Sequence, residues 1–268
     1  MEKFVHQQNP VFLRKQLAET PNYLIFGHLL PGKVLGEIAM PNQTVIIQRS
    51  SQRQAARIAC LVPMNTVRFS GSIETMGVSM PFARNMEIYG ENESADYLYK
   101  VVSGVVRTYK LLNDDRRHIG SFYLPGDIFG LEIGGEHTSS AEAVAVSKIQ
   151  VIKRSAVIAL AGRDKEVARQ LLSLTATELR RAQDHIMLLL KTAQERVVGF
   201  LLEMAERNLG ASEFDLPMSR QDIADYLGLT IETVSRTVTQ LANSGAIAVP
   251  TSRHIVLRRR GALNRMNA

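Results

Sequence analysis

The sequence has very little of several things that would settle its class at once. Its 268 residues include a single cysteine, Cys60. That excludes an internal disulfide framework, a four-cysteine zinc site and a thiolate-held iron–sulfur cluster within one chain. No apolar run approaches the roughly 20 residues needed to span a bilayer. The best early run, Tyr23 to Leu30, is short and interrupted by Gly27 and His28, so the start does not read as a secretory leader. The phosphate-loop, nucleophile-elbow and H-E-x-x-H patterns are all absent. The six histidines (His6, His28, His118, His137, His185 and His254) are scattered, with Gly134-Gly135-Glu136-His137 reading as a loop tip and His185 as a surface or interface residue. No catalytic constellation, metal site or cofactor is expected, and the chain reads as a cytoplasmic protein without a membrane partner.

The composition is that of a folding chain: 45% hydrophobic and 22% charged. Its 32 Lys+Arg and 26 Asp+Glu give a net charge of +6, unevenly placed. Residues 1–70 hold 8 basic and 3 acidic groups, residues 71–191 hold 15 of each, and residues 192–268 hold 9 and 8. The excess therefore sits mostly at the N-terminus. The last 32 residues carry Arg253, Arg258, Arg259, Arg260 and Arg265 with no acid. Such a run reads as a solvated tail unless a nucleic-acid reader lies beside it.

Residues 1–80 show no sustained period and are punctuated by Pro10, Pro21, Pro31, Pro41 and Pro63. They read as a poorly structured extension. Strand signals begin after them. Tyr97–Val102, Val105–Leu112, Arg117–Leu124, Ala141–Val146 and Lys148–Ile152 are rich in β-branched and aromatic residues, with Ser103-Gly104, Asn113-Asp114-Asp115 and Pro125-Gly126-Asp127 as turns. A small antiparallel barrel or sandwich over residues 81–162 is expected. Over residues 163–193 the period changes. Ala168, Leu172, Thr175, Leu179, Ala182, Ile186, Leu189 and Ala193 recur at alternating steps of four and three, a heptad seam. It reads as a long helix that pairs with a second copy; a helix packed on its own barrel is the plain alternative. Thr175 and Ala182 are small enough to let two backbones approach.

Residues 194–268 carry the functional signal. After an amphipathic helix over 194–208, Ser219, with Asp222 three residues on, caps a helix running about Arg220 to Leu227, with Ile223, Ala224 and Leu227 inward. Gly228 permits a left-handed turn and Leu229 plugs the corner. Thr230 then caps a second helix, Ile231 to Asn243, with Val234, Val238 and Leu241 inward and Gly245 as its stop. This is helix-turn-helix spacing. Ala246–Val249 and His254–Leu257 read as a hairpin beside it, a wing. A second helix that enters a major groove by its N-terminal turns presents Glu232, Ser235 and Arg236 to base edges. Arginine can donate twice to guanine, glutamate accepts from cytosine and serine adapts to either. Ser219, Arg220, Gln221, Thr230 and Thr233 are candidate phosphate contacts. An ordinary Glu232–Arg236 surface ion pair is the plain alternative for the same spacing.

The run Gln221-Asp222-Ile223-Ala224-Asp225-Tyr226-Leu227-Gly228-Leu229-Thr230-Ile231-Glu232-Thr233-Val234-Ser235-Arg236 resembles the DNA-binding helices of the cAMP-receptor/fumarate–nitrate regulator (Crp/Fnr) superfamily, closest to its FixK branch. Tyr123-Leu124-Pro125-Gly126-Asp127-Ile128-Phe129-Gly130 resembles that family's barrel motif. The resemblance covers about residues 84–268. It implies an α+β chain: an N-terminal antiparallel β-roll of the cyclic-nucleotide-binding type, a long dimerisation helix, and a C-terminal winged helix-turn-helix. It also implies a homodimeric transcription regulator, mainly an activator, that binds palindromic double-stranded DNA and recruits RNA polymerase. The family pattern E-x-x-S-R, which reads a TTGA half-site, falls on Glu232, Ser235 and Arg236. The dimer interface would use Leu172, Thr175, Leu179, Ala182, Ile186 and Leu189. Asp114 and Asp115, at a hairpin tip, resemble in position a polymerase-contacting surface.

Where the sequence departs from the family, the sensor is affected. The cyclic-nucleotide binders need a Gly-Glu pair followed by an arginine-headed phosphate clamp. Here Gly130-Leu131-Glu132 is followed by Ser139-Ser140-Ala141, with no arginine. With one cysteine the chain also lacks the oxygen-sensing cluster. The resemblance therefore favours a FixK-type regulator of low-oxygen or nitrogen-fixation genes. The alternative is a regulator gated by haem or another small molecule held in the barrel.

Overall fold

The computed structural model describes residues 74–132 and 134–267; the expected extension up to residue 73, with Cys60, lies outside them. Eight strands build the roll: β1 (Val78–Phe82), β2 (Glu87–Tyr89), β3 (Tyr97–Ser103), β4 (Val106–Leu111), β5 (Arg117–Tyr123), β6 (Ile128–Phe129), β7 (Ser140–Ala143) and β8 (Ser147–Lys153). They form two four-stranded sheets, ordered β1-β8-β3-β6 and β2-β7-β4-β5, with antiparallel pairing throughout. The five expected strand runs are β3, β4, β5, β7 and β8. The roll begins earlier than the boundary expected at 81, because β1 pairs with β8 from Val78 opposite Val151 to Phe82 opposite Ser147.

A short helix absent from the sequence reading, α1 (Arg154–Ala161), follows β8 directly and buries Val157. Eight residues are too few to show a period. Next comes the long helix, α2 (Lys165–Leu189), capped by Asp164, whose carboxylate accepts from the amides of Glu166 at 2.8 Å and Val167 at 3.4 Å. Its Val167 and Leu174 pack with Leu98, Ile128, Ile152 and Val157 beneath one sheet.

After a three-residue link comes α3 (Ala193–Arg207), opened by a Thr192–Glu195 capping box. The winged unit contains β9 (Glu213–Asp215), α4 (Arg220–Leu227), α5 (Ile231–Asn243), β10 (Ile247–Ala248), β11 (His254–Leu257) and α6 (Arg260–Asn267), with the sheet ordered β10-β11-β9. The basic C-terminal run is therefore not a solvated tail. Leu257 and Leu263 are buried and anchor β11 and α6, while Arg258 and Arg259 stay exposed.

One apolar core runs from the roll into the winged unit, joining Val105, Ile119 and Phe122 to Phe200, Leu201, Ile223, Tyr226, Val234 and Leu241. At its centre the rings of Phe122, Phe200 and Tyr226 lie 5.2–6.3 Å apart, within the range of favourable aromatic contacts. A charged cluster flanks it. Buried Asp127, in the turn before β6, accepts from the Leu124 amide at 2.7 Å, from Arg181 of α2 at 2.8 Å and from Arg207 of α3. Arg207 also donates to the Phe122 carbonyl at 2.9 Å. His185 of α2 is half-buried, with both ring nitrogens turned away from solvent. Its ring lies 4.1 Å from Tyr226 and 6.2 Å from His118 of β5, and its nitrogens have no hydrogen-bond partner.

Two outcomes follow from this packing. Phe200→Ala, in the fully buried centre, should cost about 3–5 kcal/mol, read as a lower denaturant midpoint. Burial first, and His118 second, lower the His185 pKa from 6.5 to about 4. The unfolded chain then takes up a proton near pH 6.5 that the folded chain refuses until near pH 4. This stabilising effect is complete above the window and is lost as the pH falls through it. His185→Phe, which keeps a ring on Tyr226, should flatten the fall in stability between pH 6.5 and 4 relative to the parent; an unchanged slope would assign that fall to other groups.

Candidate nucleic-acid interface

Local signals place the two helices of the reader. Ser219 caps α4 through a reciprocal box: its hydroxyl accepts from the Asp222 amide at 3.0 Å and donates to Asp222 Oδ2 at 2.8 Å, and its amide donates to the same oxygen at 2.9 Å. Gly228 ends α4 at φ +62°, where the left-handed backbone suits glycine, and the Leu229 amide bonds back to the Ala224 carbonyl at 3.0 Å. Thr230 then caps α5. Ile223, Ala224, Leu227, Val234, Val238 and Leu241 are buried as expected, and Leu229 packs against them.

The outward face of α5 carries the expected base-reading residues. Glu232, Ser235 and Arg236 are exposed in its first two turns. Glu232 and Arg236 do not pair with each other, although they stand four residues apart on one helix. Arg236 has no carboxylate within ion-pair distance among the described residues. Its own amide first, and the Thr230 hydroxyl second, hold the Glu232 carboxyl below its ordinary pKa, so it presents acceptors only.

The candidate phosphate contacts divide by what their side chains already do. Thr230 and Thr233 bring their hydroxyls within 3.1 Å at the helix N-terminus, where amides and dipole favour an anion. Arg220 lies in a recess of about 240 Å³ with Ser235, Val238, Thr239, Ala242 and Val249. It donates weakly to the Ser252 carbonyl, at 3.4 Å, and burial alone lowers its pKa. It is thus a half-buried cation without a carboxylate partner among the described residues. Gln221 is exposed but donates to Asp225 at 2.6 Å. The Ser219 hydroxyl proton is committed to Asp222 and is not free for a phosphate.

The α2 seam faces solvent in the single chain. Leu172, Leu179 and Ile186 are 71%, 60% and 59% exposed, with Thr175 and Ala182 exposed between them. Leu189, at the end of the seam, is half-buried; its Cδ2 atom would lie 3.9 Å from a Cβ at Gly228. Asp114 and Asp115 are exposed at the β4–β5 tip, and Asp114 accepts from Arg116 Nε at 2.7 Å.

The loop between β6 and β7, which lacks the family's clamp arginine, is closed from within. Gly130, at φ +80°, lies against Tyr99, where a Cβ would come to 2.8 Å from the ring. Arg154 of α1 donates to the carbonyls of Gly130 at 2.8 Å and Gly134 at 3.1 Å. Buried His137 turns inward and stacks on Tyr89 at 3.5 Å, with Tyr99, Phe129 and Tyr123 continuing the ring cluster. Its Nδ1 stands 3.3 Å from Glu132, close enough to pair electrostatically though not aligned as a hydrogen bond. The His137 ring therefore belongs to the roll's core rather than to an exposed loop tip.

Sequence reasoning missed the far side of α4. Arg107 of β4 and Arg117 of β5 reach Asp222 at 2.8 and 2.7 Å, across 115 and 105 residues of chain. No local pattern marks a pairing of that span.

Among the described residues no helix is long and apolar enough to cross a membrane, and no group of three His, Cys, Asp or Glu side chains is placed to hold a metal. Residues 195–266 match the Crp-like helix-turn-helix domain and residues 80–164 the cyclic nucleotide-binding domain. The chain is 45% identical over 246 residues to the nitrogen fixation regulation protein FixK of Azorhizobium caulinodans, covering 89% of this chain and 99% of that one. That share is too large to be confined to residues after 80, so the N-terminal extension is partly common to both. The FixK protein of Rhizobium meliloti is 43% identical over 178 residues, 66% of this chain and 81% of its own. The structure of FixK2 from Bradyrhizobium japonicum superposes with a TM-score of 0.70 at 51% identity, over 72% of this chain and 98% of that one. With its roll, long helix and winged reader in that order, the chain belongs to the FixK branch of the Crp/Fnr superfamily, a family of DNA-binding transcription regulators and not of enzymes.

Proposed function

We propose that this regulator works as a homodimer that binds a palindrome of TTGA-type half-sites, mainly as an activator of low-oxygen or nitrogen-fixation genes. The observation that carries this reading is the outward face of α5. A carboxylate, a hydroxyl and a guanidinium stand in its first two turns, and the arginine has no carboxylate partner. Arg236 can donate twice to guanine O6 and N7, Glu232 can accept from cytosine N4, and Ser235 adapts to either edge. Arg220, Thr230 and Thr233 supply a cation and helix-terminal donors for phosphates, which fix register without reading sequence. Gln221 can join them only by releasing Asp225, and Ser219 contributes by holding the helix.

The exposed leucine and isoleucine stripe on α2 supports pairing of two copies, since an apolar stripe of heptad spacing gains stability only when covered. The nitrogen-fixation reading rests on the names of the two FixK relatives. An activating contact with RNA polymerase would use Asp114 and Asp115 at the β4–β5 tip, and the Arg116 bond at Asp114 leaves Asp115 the freer of the two. The aromatic filling of the roll weighs against the alternative of a haem- or small-molecule-gated regulator.

Selection of bound DNA from a random pool, with no added ligand, should return a palindrome of TTGA-type half-sites. Arg236→Ala should cost about 1–3 kcal/mol and relax the preference at one guanine. Unaltered discrimination in that variant would remove Arg236 from base reading. Separately, Leu179→Arg should shift the protein to monomers in sedimentation and abolish binding to the full palindrome. Dimers that persist in the variant would place the interface elsewhere.

A further inference from the structure

The reader is joined to the rest of the chain through Leu190, Lys191 and Thr192 alone, between the end of α2 and the start of α3. A link this short does not by itself set an orientation, so side contacts must. In the first turn of α4, at the end away from the turn into α5, one carboxylate gathers four donors. Asp222 Oδ2 takes the Ser219 amide and hydroxyl, while Oδ1 takes Arg107 Nη1 at 2.8 Å and Arg117 Nη2 at 2.7 Å. Arg117 Nε also donates to Asp225 at 2.8 Å, and Arg107 Nη2 lies 2.9 Å from Glu142 of β7. Asp222 and Arg107 are almost wholly buried. Both arginines stand on neighbouring strands of one sheet, so the donors are fixed before the reader docks.

We infer that Arg107 and Arg117 are positioning residues for DNA reading: through Asp222 and Asp225 they fix the direction in which α5 leaves the roll. Guanidinium–carboxylate bonds are directional, unlike the apolar contacts of the shared core. A pair this buried is weak evidence for net stability, because desolvation offsets its attraction. Among the described residues the Nε–H of Arg107 even lacks a hydrogen-bond partner. What the arrangement supplies is orientation. Asp222 receives the roll's arginines with one oxygen and caps α4 with the other, so tilting the helix would strain both sets of bonds together.

In a dimer, two readers must meet half-sites at one separation, so loosening the lock should blur spacing more than base identity. This deepens the palindrome reading and rests on it. The test uses the full chain with Arg117→Asp, Asp225→Arg, the two combined, and Arg117→Gln as a milder single change. Arg117 and Asp225 lie at the rim of the cluster, where opposite charges can be exchanged. Binding is measured to a panel of palindromes whose spacers differ by one or two base pairs. The single variants should lose about tenfold in preference for the best spacer while keeping their discrimination between bases within a half-site. The exchanged pair should regain that preference.

Independently of DNA, spin labels at Arg84 on the roll and Gln240 on α5, with Cys60 replaced by serine, should give one narrow distance in the parent and the exchanged pair. The distribution should be broad in the single variants. A narrow distribution in the single variants, or no recovery of it on exchange, would overturn the lock. So would single variants that keep the spacing preference. If the parent has no preferred spacer while the labels behave as stated, the palindrome reading fails and the lock stands.

Discussion

Two buried aspartates orient the parts of this architecture, each shared by guanidinium groups from elsewhere in the chain. Asp127 belongs to the roll and receives Arg181 from the long helix and Arg207 from α3. Asp222 belongs to the reader and receives Arg107 and Arg117 from the roll. The two clusters are reciprocal: each partner supplies an acid to the other's bases. Beside them the rings of Phe122, Phe200 and Tyr226 pack on one another, while Phe122, Tyr226 and the Asp127 cluster also line an open recess of about 540 Å³. Apolar burial brings the roll and the reader together, and the charged contacts select one arrangement among those that would bury similar area.

That division of labour explains what could be read from the sequence and what could not. The reader's helices were legible to their ends because each boundary has a local cause: Ser219 with Asp222, Gly228, Thr230 and Gly245 act within a few residues of themselves. The long helix was legible because its heptad repeats for more than three turns of the pattern. The roll's strands showed their β-branched and aromatic runs. By contrast α1 and α6, at eight residues each, are too short to establish a period. The C-terminal arginines masked Leu263, whose burial decides that the last segment packs as α6.

The site was legible in the same partial way. Glu232, Ser235 and Arg236 were found because helical spacing puts them on one outward face. The arginines behind α4 were not, since a contact across more than a hundred residues leaves no periodic trace. Sequence reasoning likewise assigned Asp222 to the helix cap alone, which is half of its role. His137 looked like part of a glycine-rich loop tip. Nothing local signals that its ring turns inward onto Tyr89 and completes an aromatic core.

The lock also bears on how the molecule can be dissected. Severed after the long helix, a C-terminal fragment would keep its fold signals but part from Arg107 and Arg117. Asp222 and Asp225 would then keep only their neutral donors, Ser219 and Gln221, and a near-neutral module would acquire a local negative field. Such an excised piece is therefore not a faithful miniature of the reader, because the guanidinium groups that neutralise its acids are encoded in another domain.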